Sequence, residues 1–203
     1  MKENSKLYII IISVLFIFCL ILSNSYVDLR KNNTPYSPNR PCAGSNESYS
    51  RIISGIESDN LPLNLKTELT SYSNNLRSLK DVIRPDSMYL ILRYPLTYCG
   101  DCINEICTRL EMLKDSIPGI NVNIIASGGS VREMKVKMHP YREAFPVYLM
   151  LLNNFGLPID RSNIPYLVFT NDGKTAKHTL IVDANSGELL QKYVKMLSNR
   201  YCK

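Results

Sequence analysis

Residues 88–102 read MYLILRYPLTYCGDC and end in two cysteines that are separated by two residues. The first seven residues are mostly leucine, isoleucine and tyrosine, and this composition predicts a β-strand over 88–94. Apolar side chains then recur every three or four positions over 102–117, which predicts an amphipathic helix. The pair Cys99–Cys102 therefore stands at a junction between a strand and a helix.

This junction gives the two thiols different chemistry. Cys99 falls at the helix N-terminus, where unpaired N–H groups and the helix dipole stabilise a thiolate. Cys102 lies one turn further along, close enough to attack a mixed disulfide formed on Cys99. The spacing predicts thiol–disulfide exchange with protein clients, in which Cys99 is the nucleophile and Cys102 the resolving thiol.

The composition limits the other classes of function. The chain has 203 residues and a net charge of +6, and its basic residues are scattered without any Lys/Arg run. This pattern favours an ordinary solvated surface and no nucleic-acid partner. Six cysteines are too few for a disulfide scaffold of this length, and no motif indicates a nucleotide or another cofactor.

An apolar run near the N-terminus predicts the compartment. Residues 7–22 read LYIIIISVLFIFCLIL, and Lys2 and Lys6 precede them. The run is longer than a typical signal-peptide core and shorter than a typical membrane span. We therefore expect residues 1–27 to be a transmembrane anchor or a cleaved signal peptide. Either one places the rest of the chain outside the cytoplasm, tethered on the periplasmic side of the inner membrane or exported.

Two further segments are predicted before the strand. Residues 28–60 are rich in Asn, Ser and Pro in their first half and predict a flexible linker. Over 61–84, six apolar residues recur at helical spacing and predict an amphipathic helix that Pro85 ends. This helix either packs on the edge of the domain or forms a short dimerising coiled coil, which leaves the oligomeric state open.

The remaining residues, 85–203, predict one domain of alternating elements. After the first strand and helix, the predicted elements are a strand over 120–126, a helical segment over 130–145 interrupted at Pro140, a short apolar strand or helix end over 146–152, a loop over 153–163, strands over 166–170 and 177–182 joined by a turn, and a last helix to about residue 198.

This order resembles the thioredoxin-like fold over residues 86–198. The cysteine pair follows the first core strand, and Ile164-Pro165-Tyr166 matches the family's proline before a later core strand. The resemblance implies an α/β domain whose central mixed sheet is flanked by helices. It also implies a cis Ile164–Pro165 bond that faces the cysteine pair and leaves the Ile164 backbone free to bind an extended client. The layout is most similar to Bacteroides-type membrane-anchored thiol–disulfide proteins.

Three residues depart from the family pattern. Tyr98 replaces the usual tryptophan before the pair, and with Tyr166 we expect it to cover the thiols. Asp101 replaces a common proline, and its charge opposes thiolate formation. Arg93 replaces a buried aspartate; it favours a thiolate if it faces the thiols and has no effect if it faces solvent. These departures leave the redox direction open.

A zinc site is the first rival interpretation. Cys99 and Cys102 would supply two ligands, with Cys107 or His139 as further ones. The chain has no second Cys-x-x-Cys and no His-x-x-x-His, so we predict no metal and assign Cys107 to the apolar core.

The second rival is a non-catalytic binding module. In this interpretation the thioredoxin-like domain serves interaction alone, and Cys99–Cys102 is a structural disulfide. Cys42 and Cys202 flank the domain and either pair with each other or stay free.

Overall fold

A seven-stranded mixed sheet organises the chain. The computed structural model describes residues 45–151 and 155–202, with side chains from residue 52 onward. Its strands are β1 Glu68–Ser71, β2 Leu76–Ser78, β3 Met88–Pro95, β4 Ile120–Ser127, β5 Val147–Met150, β6 Tyr166–Thr170 and β7 Lys177–Ile181. They lie in the order β2-β1-β5-β4-β3-β6-β7.

Five α-helices accompany the sheet within the described residues. They are α1 Ser45–Ser58, α2 Leu79–Val82, α3 Gly100–Leu113, α4 Val131–Met138 and α5 Gly187–Tyr201. Short 3-10 turns cover Lys114–Ser116, His139–Tyr141 and Pro158–Ser162. Helices α3 and α5 contact each other, and α1 contacts β7 and the turn at Pro158–Ser162.

Strand β3 is an internal strand of the sheet, and nearly all of its residues are buried. It pairs with β4 in parallel and with β6 antiparallel. Leu90 and Leu92 point into an apolar cluster that α3 and α5 cover. Tyr89 and Ile91 point into a second cluster on the other face. A strand covered on both faces carries a continuous apolar run, which is why the sequence signal was strong here.

The predicted mixed α/β architecture is confirmed, and most predicted elements are found. The strands over 88–94, 120–126, 166–170 and 177–182 and the helix after Cys99 are all present. The segment over 130–145 is helical to Met138 and changes to a 3-10 turn at Pro140. The ambiguous run over 146–152 contains strand β5.

The amphipathic helix predicted over 61–84 is wrong. This stretch forms the β1–β2 hairpin and the single-turn helix α2. Ser71 accepts a hydrogen bond from Asn74 across the hairpin turn, and Asn74 has a left-handed φ of 67°. Serine and asparagine favour such turns, and this signal outweighs the apolar spacing on which the helix prediction rested. Leu76, counted on the apolar face, is 65% exposed.

The hairpin also extends the sheet beyond the predicted domain boundary. Strand β1 pairs antiparallel with β5, so residues before 85 belong to the same sheet. The second half of the predicted linker is helix α1, which packs by buried Gly55 and Ser58. The predicted anchor over 1–27 and the linker residues 28–44 lie outside the described residues. Among the helices of the described part, none is long and apolar enough to cross a membrane.

Candidate functional site

The cysteine pair lies between the carboxyl end of β3 and the start of α3. Cys99 is the N-cap residue of α3, a helix of 14 residues, and its Sγ accepts a hydrogen bond from the Cys102 amide at 3.4 Å. Both thiols are free and half-buried. An anionic sulfur at this position is stabilised by the helix dipole and by a donor that would otherwise have no partner inside the helix.

The environment of Cys102 opposes its ionisation. Burial, a hydrogen bond to Cys99 and the negative charge of Cys99 raise the pKa of Cys102 to about 12. Asp101 is exposed and adds a smaller effect in the same direction. The effect of Asp101 on the reactivity of the thiols stays a prediction.

Cys107 belongs to the core. Its side chain is fully buried on the apolar face of α3, and this burial, with a smaller effect of Glu111, raises the pKa of Cys107 to about 12. His139 is exposed on a 3-10 turn. Among the described residues, no group of three or more His, Cys, Asp or Glu side chains could hold a metal ion.

The segment before β6 lies at the same edge of the sheet as the cysteine pair. Because β3 and β6 are antiparallel and Arg93 pairs with Tyr166, the end of β3 lies beside the start of β6. Asn163 also donates its side-chain amide to the Thr97 hydroxyl at 3.4 Å, which ties this segment to the residues just before Cys99. The topology therefore places Ile164–Pro165 at the edge of the sheet that also carries the pair, and a contact with Cys99 Sγ stays a prediction.

The details of this segment differ from the prediction. The described residues contain no cis peptide bond, so the predicted cis Ile164–Pro165 bond is wrong. Pro165 precedes the first residue of β6, where a missing N–H breaks no ladder bond, and its carbonyl accepts from the Val182 amide at 3.2 Å. The Ile164 carbonyl was predicted to be free, but it accepts a hydrogen bond from Arg93 Nη1 at 3.0 Å.

Tyr98 and Tyr166 have different positions. Tyr98 is half-buried directly before Cys99 and packs against the cluster that α3 covers. Tyr166 is fully buried in the second cluster, and its hydroxyl donates to Asp160 at 2.6 Å. The prediction that Tyr166 covers the thiols and contacts clients is therefore corrected: its side chain supports the loop from inside the molecule.

Arg93 faces neither the solvent nor the helix that carries the thiols. It is fully buried and lies over the Tyr166 ring, with its guanidinium carbon 5.5 Å from the ring centre. Burial lowers the pKa of Arg93, and the nearby Tyr166 and Asp160 partly offset this effect. The sequence allowed two positions for Arg93, and the structure shows a third: an internal position next to the Ile164–Pro165 segment.

Three residues near the site were missed by sequence reasoning. Lys137 donates its ammonium to the Leu96 carbonyl, Asn163 reaches Thr97, and Asp160 anchors Tyr166. Asn163 has a left-handed φ of 48°, and asparagine is one of the few non-glycine residues that adopt it readily. A turn signal at Asn163 was thus available, whereas nothing local marks Lys137 or Asp160.

Comparisons with solved structures identify the fold. A proposed electron transfer protein from Aquifex aeolicus VF5 superposes with a TM-score of 0.52 at 10% identity, over 72% of this chain and 99% of that chain. A proposed protein disulfide isomerase from Bacteroides thetaiotaomicron gives 0.51 at 9% identity, over 72% and 90%. A secreted disulfide oxidoreductase from Mycobacterium tuberculosis gives 0.48 at 19% identity, over 66% and 97%.

The first two of these matches, with TM-scores above 0.5, show a thioredoxin-like fold, and the resemblance predicted from the sequence is confirmed. Identities of this size establish the fold alone. No model of a known protein family matches the sequence, and no curated protein is similar to it.

Proposed function

We propose that this protein is a membrane-tethered thiol–disulfide oxidoreductase that acts on protein disulfides outside the cytoplasm. One observation carries the proposal: Cys99 Sγ caps the N-terminus of α3 and accepts a hydrogen bond from the Cys102 amide, while burial and the neighbouring Cys99 raise the pKa of Cys102. The two thiols therefore differ within a single helical turn, and we assign Cys99 as the nucleophile and Cys102 as the resolving thiol.

The exchange proceeds in two balanced steps. The Cys99 thiolate attacks one sulfur of a client disulfide, so that a Cys99–client bond forms, the client S–S bond breaks and a client thiolate leaves. Cys102 then loses its proton and attacks Cys99 Sγ, which forms the Cys99–Cys102 disulfide and releases the second client thiolate. Two protons complete the client dithiol, and the client is reduced as the pair is oxidised. The reverse sequence oxidises a client.

The first step prepares the second. Two of the three largest causes of the raised Cys102 pKa are its hydrogen bond to Cys99 and the charge of Cys99. When Cys99 is joined to a client, its sulfur is neutral and both effects fall. The resolving thiol therefore ionises more readily once a mixed disulfide exists and is protected from side reactions before that.

Clients dock across the edge that holds the pair and the Ile164–Pro165 backbone. Tyr98 supplies a half-buried aromatic surface beside Cys99. The Asn163–Thr97 hydrogen bond keeps the two loops together. The family resemblance implies that extended clients bind by their backbone, and the proposal places such a chain along this edge.

The apolar run at residues 7–22 supports the membrane tether in this proposal. A segment of this kind with preceding lysines anchors or exports the chain, and free thiols poised for exchange find disulfide substrates outside the cytoplasm. Whether the pair reduces or oxidises its clients depends on its reduction potential relative to that of the compartment and of its electron partner.

A trapping experiment tests the proposed function. The Cys102→Ser variant of the full chain, in detergent, is incubated with a synthetic peptide that contains one intramolecular disulfide. Since the second step is blocked, we expect a mixed disulfide between the peptide and Cys99 to accumulate and to be located by mass spectrometry. Cys99→Ser should form no adduct, and Cys107→Ser should behave as the unaltered chain. An adduct on another cysteine, or none, would contradict the proposal.

A non-catalytic binding module is the second candidate function, and the structure of the Ile164–Pro165 segment favours it. Pro165 has an ordinary trans bond and the Ile164 carbonyl is already hydrogen-bonded, so the client edge lacks two features that the family resemblance implied. In this alternative the Cys99–Cys102 disulfide is structural and resists glutathione. The redox equilibrium of the pair separates the two candidates.

A further inference from the structure

Arg93 carries a charge in the interior of the molecule without a direct acidic partner. Its side chain is fully buried, and no salt bridge found among the described residues includes it. The nearest compensation is indirect: the guanidinium lies over the Tyr166 ring, and the Tyr166 hydroxyl donates to Asp160. Burying an arginine without an acidic partner costs folding free energy, and this cost is a reason to look for a role in function.

The guanidinium makes one hydrogen bond to the described residues. That bond goes to the segment over residues 163–165, which we call the client-facing loop. Nη1 donates to the Ile164 carbonyl at 3.0 Å, whereas Nε and Nη2 have no partner among the described residues. A charged donor inside the protein forms a strong hydrogen bond, because water does not compete for the acceptor. The Ile164 carbonyl is thus held from the interior by the guanidinium of Arg93, a residue of strand β3.

Few other contacts fix this loop. Asn163 is exposed, and its bond to Thr97 is long at 3.4 Å. Pro165 has no N–H to donate, and its carbonyl is used by Val182. The buried bond from Arg93 therefore adds a side-chain contact to Ile164 beside the ladder that pairs Arg93 with Tyr166.

The position of Arg93 argues against a direct effect on the thiols. Alternate residues of a strand point to opposite faces, so Arg93 shares the face of Tyr89 and Ile91. Helix α3, which carries the pair, covers the other face. The sheet lies between the guanidinium and the core side of α3, and the charge of Arg93 is not among the causes of the raised Cys102 pKa.

We propose that Arg93 is a positioning residue that fixes the Ile164–Pro165 segment for extended clients through its bond to the Ile164 carbonyl. This inference rests on the proposed function, since it concerns how clients reach Cys99. Tyr166 and Asp160 complete the arrangement: Asp160 accepts from Tyr166 and from the Leu157 amide at 3.2 Å, which holds the ring below the guanidinium. Arg93 acts on binding geometry and leaves the reactivity of the thiol unchanged.

The experiment compares two probes on three variants of the full chain. The peptide disulfide reports on docking and exchange together, whereas dithiobis(nitrobenzoate), a small aromatic disulfide, reports on the reactivity of Cys99 without docking of an extended chain. Arg93→Met removes the donor and keeps the volume. Arg93→Lys restores a donor without the planar fork. Tyr94→Phe is the matched control, because Tyr94 neighbours Arg93 but points to the other cluster and its buried hydroxyl has no described partner.

For Arg93→Met we expect exchange with the peptide to slow by about 10- to 100-fold, mainly through KM, because misplacement of a positioning group by about 1 Å has effects of this size. The reaction with the small disulfide, and its pH profile, should stay within about twofold of the unaltered chain. Arg93→Lys should recover part of the peptide rate, and Tyr94→Phe should match the unaltered chain with both probes. Circular dichroism and a thermal melt establish that each variant is folded.

Two results overturn the inference alone: peptide exchange unchanged in folded Arg93→Met, or equal losses with both probes, which would show that Arg93 acts on the thiol. If Arg93→Met does not fold, Arg93→Lys tests the inference instead. A rate of exchange with the peptide equal to that of the unaltered chain would then contradict the inference. Failure of the unaltered chain to exchange with the peptide would instead overturn the proposed function, and this inference with it.

Discussion

Cys99 and Cys102 are three residues apart and yet differ in what surrounds their sulfurs. Cys99 Sγ accepts a backbone N–H at the helix start, whereas Cys102 lies next to the sulfur and charge of Cys99. A backbone donor favours a thiolate, and a neighbouring negative charge disfavours one. In the proposed function, the nucleophile and the resolving thiol are thus distinguished by their position in the helix rather than by any special side chain.

Alkylation should reveal this difference. With substoichiometric iodoacetamide on the reduced chain, we expect Cys99 to be labelled first, at least about tenfold faster than Cys102 or Cys107, because both of those thiols have a raised pKa. Peptide mapping by mass spectrometry reads the order. Preferential labelling of Cys102 would reverse the assigned roles.

The coupling between the thiols gives a second prediction. In Cys99→Ser the negative neighbour is gone, so the pKa of Cys102 should fall below its value of about 12. It should stay above the ordinary thiol value, because burial is the largest cause of the shift and is unchanged. Titration of ¹³Cβ-labelled cysteines by NMR measures both proteins. An equal or higher pKa in the variant would show that Cys99 does not control Cys102.

The sequence predicted the residues of the pair more reliably than their supporting side chains. The Cys-x-x-Cys spacing places both thiols because a helix start is a local feature. The internal positions of Arg93 and Tyr166 depend on contacts with Ile164 and Asp160, which are distant in sequence from Arg93 or carry no pattern. Side-chain direction at the end of a strand buried on both faces cannot be predicted from alternation, since both faces are apolar.

At the scale of elements, the turn between β6 and β7 shows how a short loop is fixed. One oxygen of Asp172 accepts from the amides of Lys174 and Thr175 and from the Thr170 hydroxyl. Burial alone would raise the pKa of Asp172, but these hydrogen bonds lower it to about 2. The carboxylate thus closes the hairpin that holds β7 against β6, and β6 begins directly after the Ile164–Pro165 segment.

Asp172→Ala should therefore lower the free energy of unfolding by about 1–3 kcal/mol, since three donors lose a charged acceptor. The native pKa is depressed, so the contribution is complete above the unfolded pKa of about 4 and is lost as the pH falls toward 2. Urea unfolding at about pH 7 and about pH 3 should show a smaller difference from the unaltered chain at the lower pH. The exposed Asp115→Ala is the control, and a difference that does not change with pH would contradict this account.

Elements were predictable where one signal dominated. The apolar run of β3 is such a case. The stretch over 61–84 carried two signals, helical apolar spacing and a Ser/Asn turn. Pairing with β5 favoured the hairpin, and that pairing is a tertiary contact which no window of the sequence contains.

At the scale of the whole molecule, the proposal requires the thioredoxin-like domain to lie outside the cytoplasm. A phosphatase that is active only after export, fused after Lys203, should be active in cells. Retention of the chain in the membrane after carbonate extraction would then identify an anchor, and release would identify a cleaved signal. A stable but inactive fusion would contradict the proposed compartment.

The central claim is that Cys99 and Cys102 exchange disulfides rather than brace the fold. It is tested most directly by the equilibrium between the pair and glutathione buffers of known potential, read by mass spectrometry of alkylated samples. A working pair should interconvert fully and have a potential above about −300 mV. A potential below that value would contradict the account. So would the absence of a Cys99–Cys102 disulfide in every buffer.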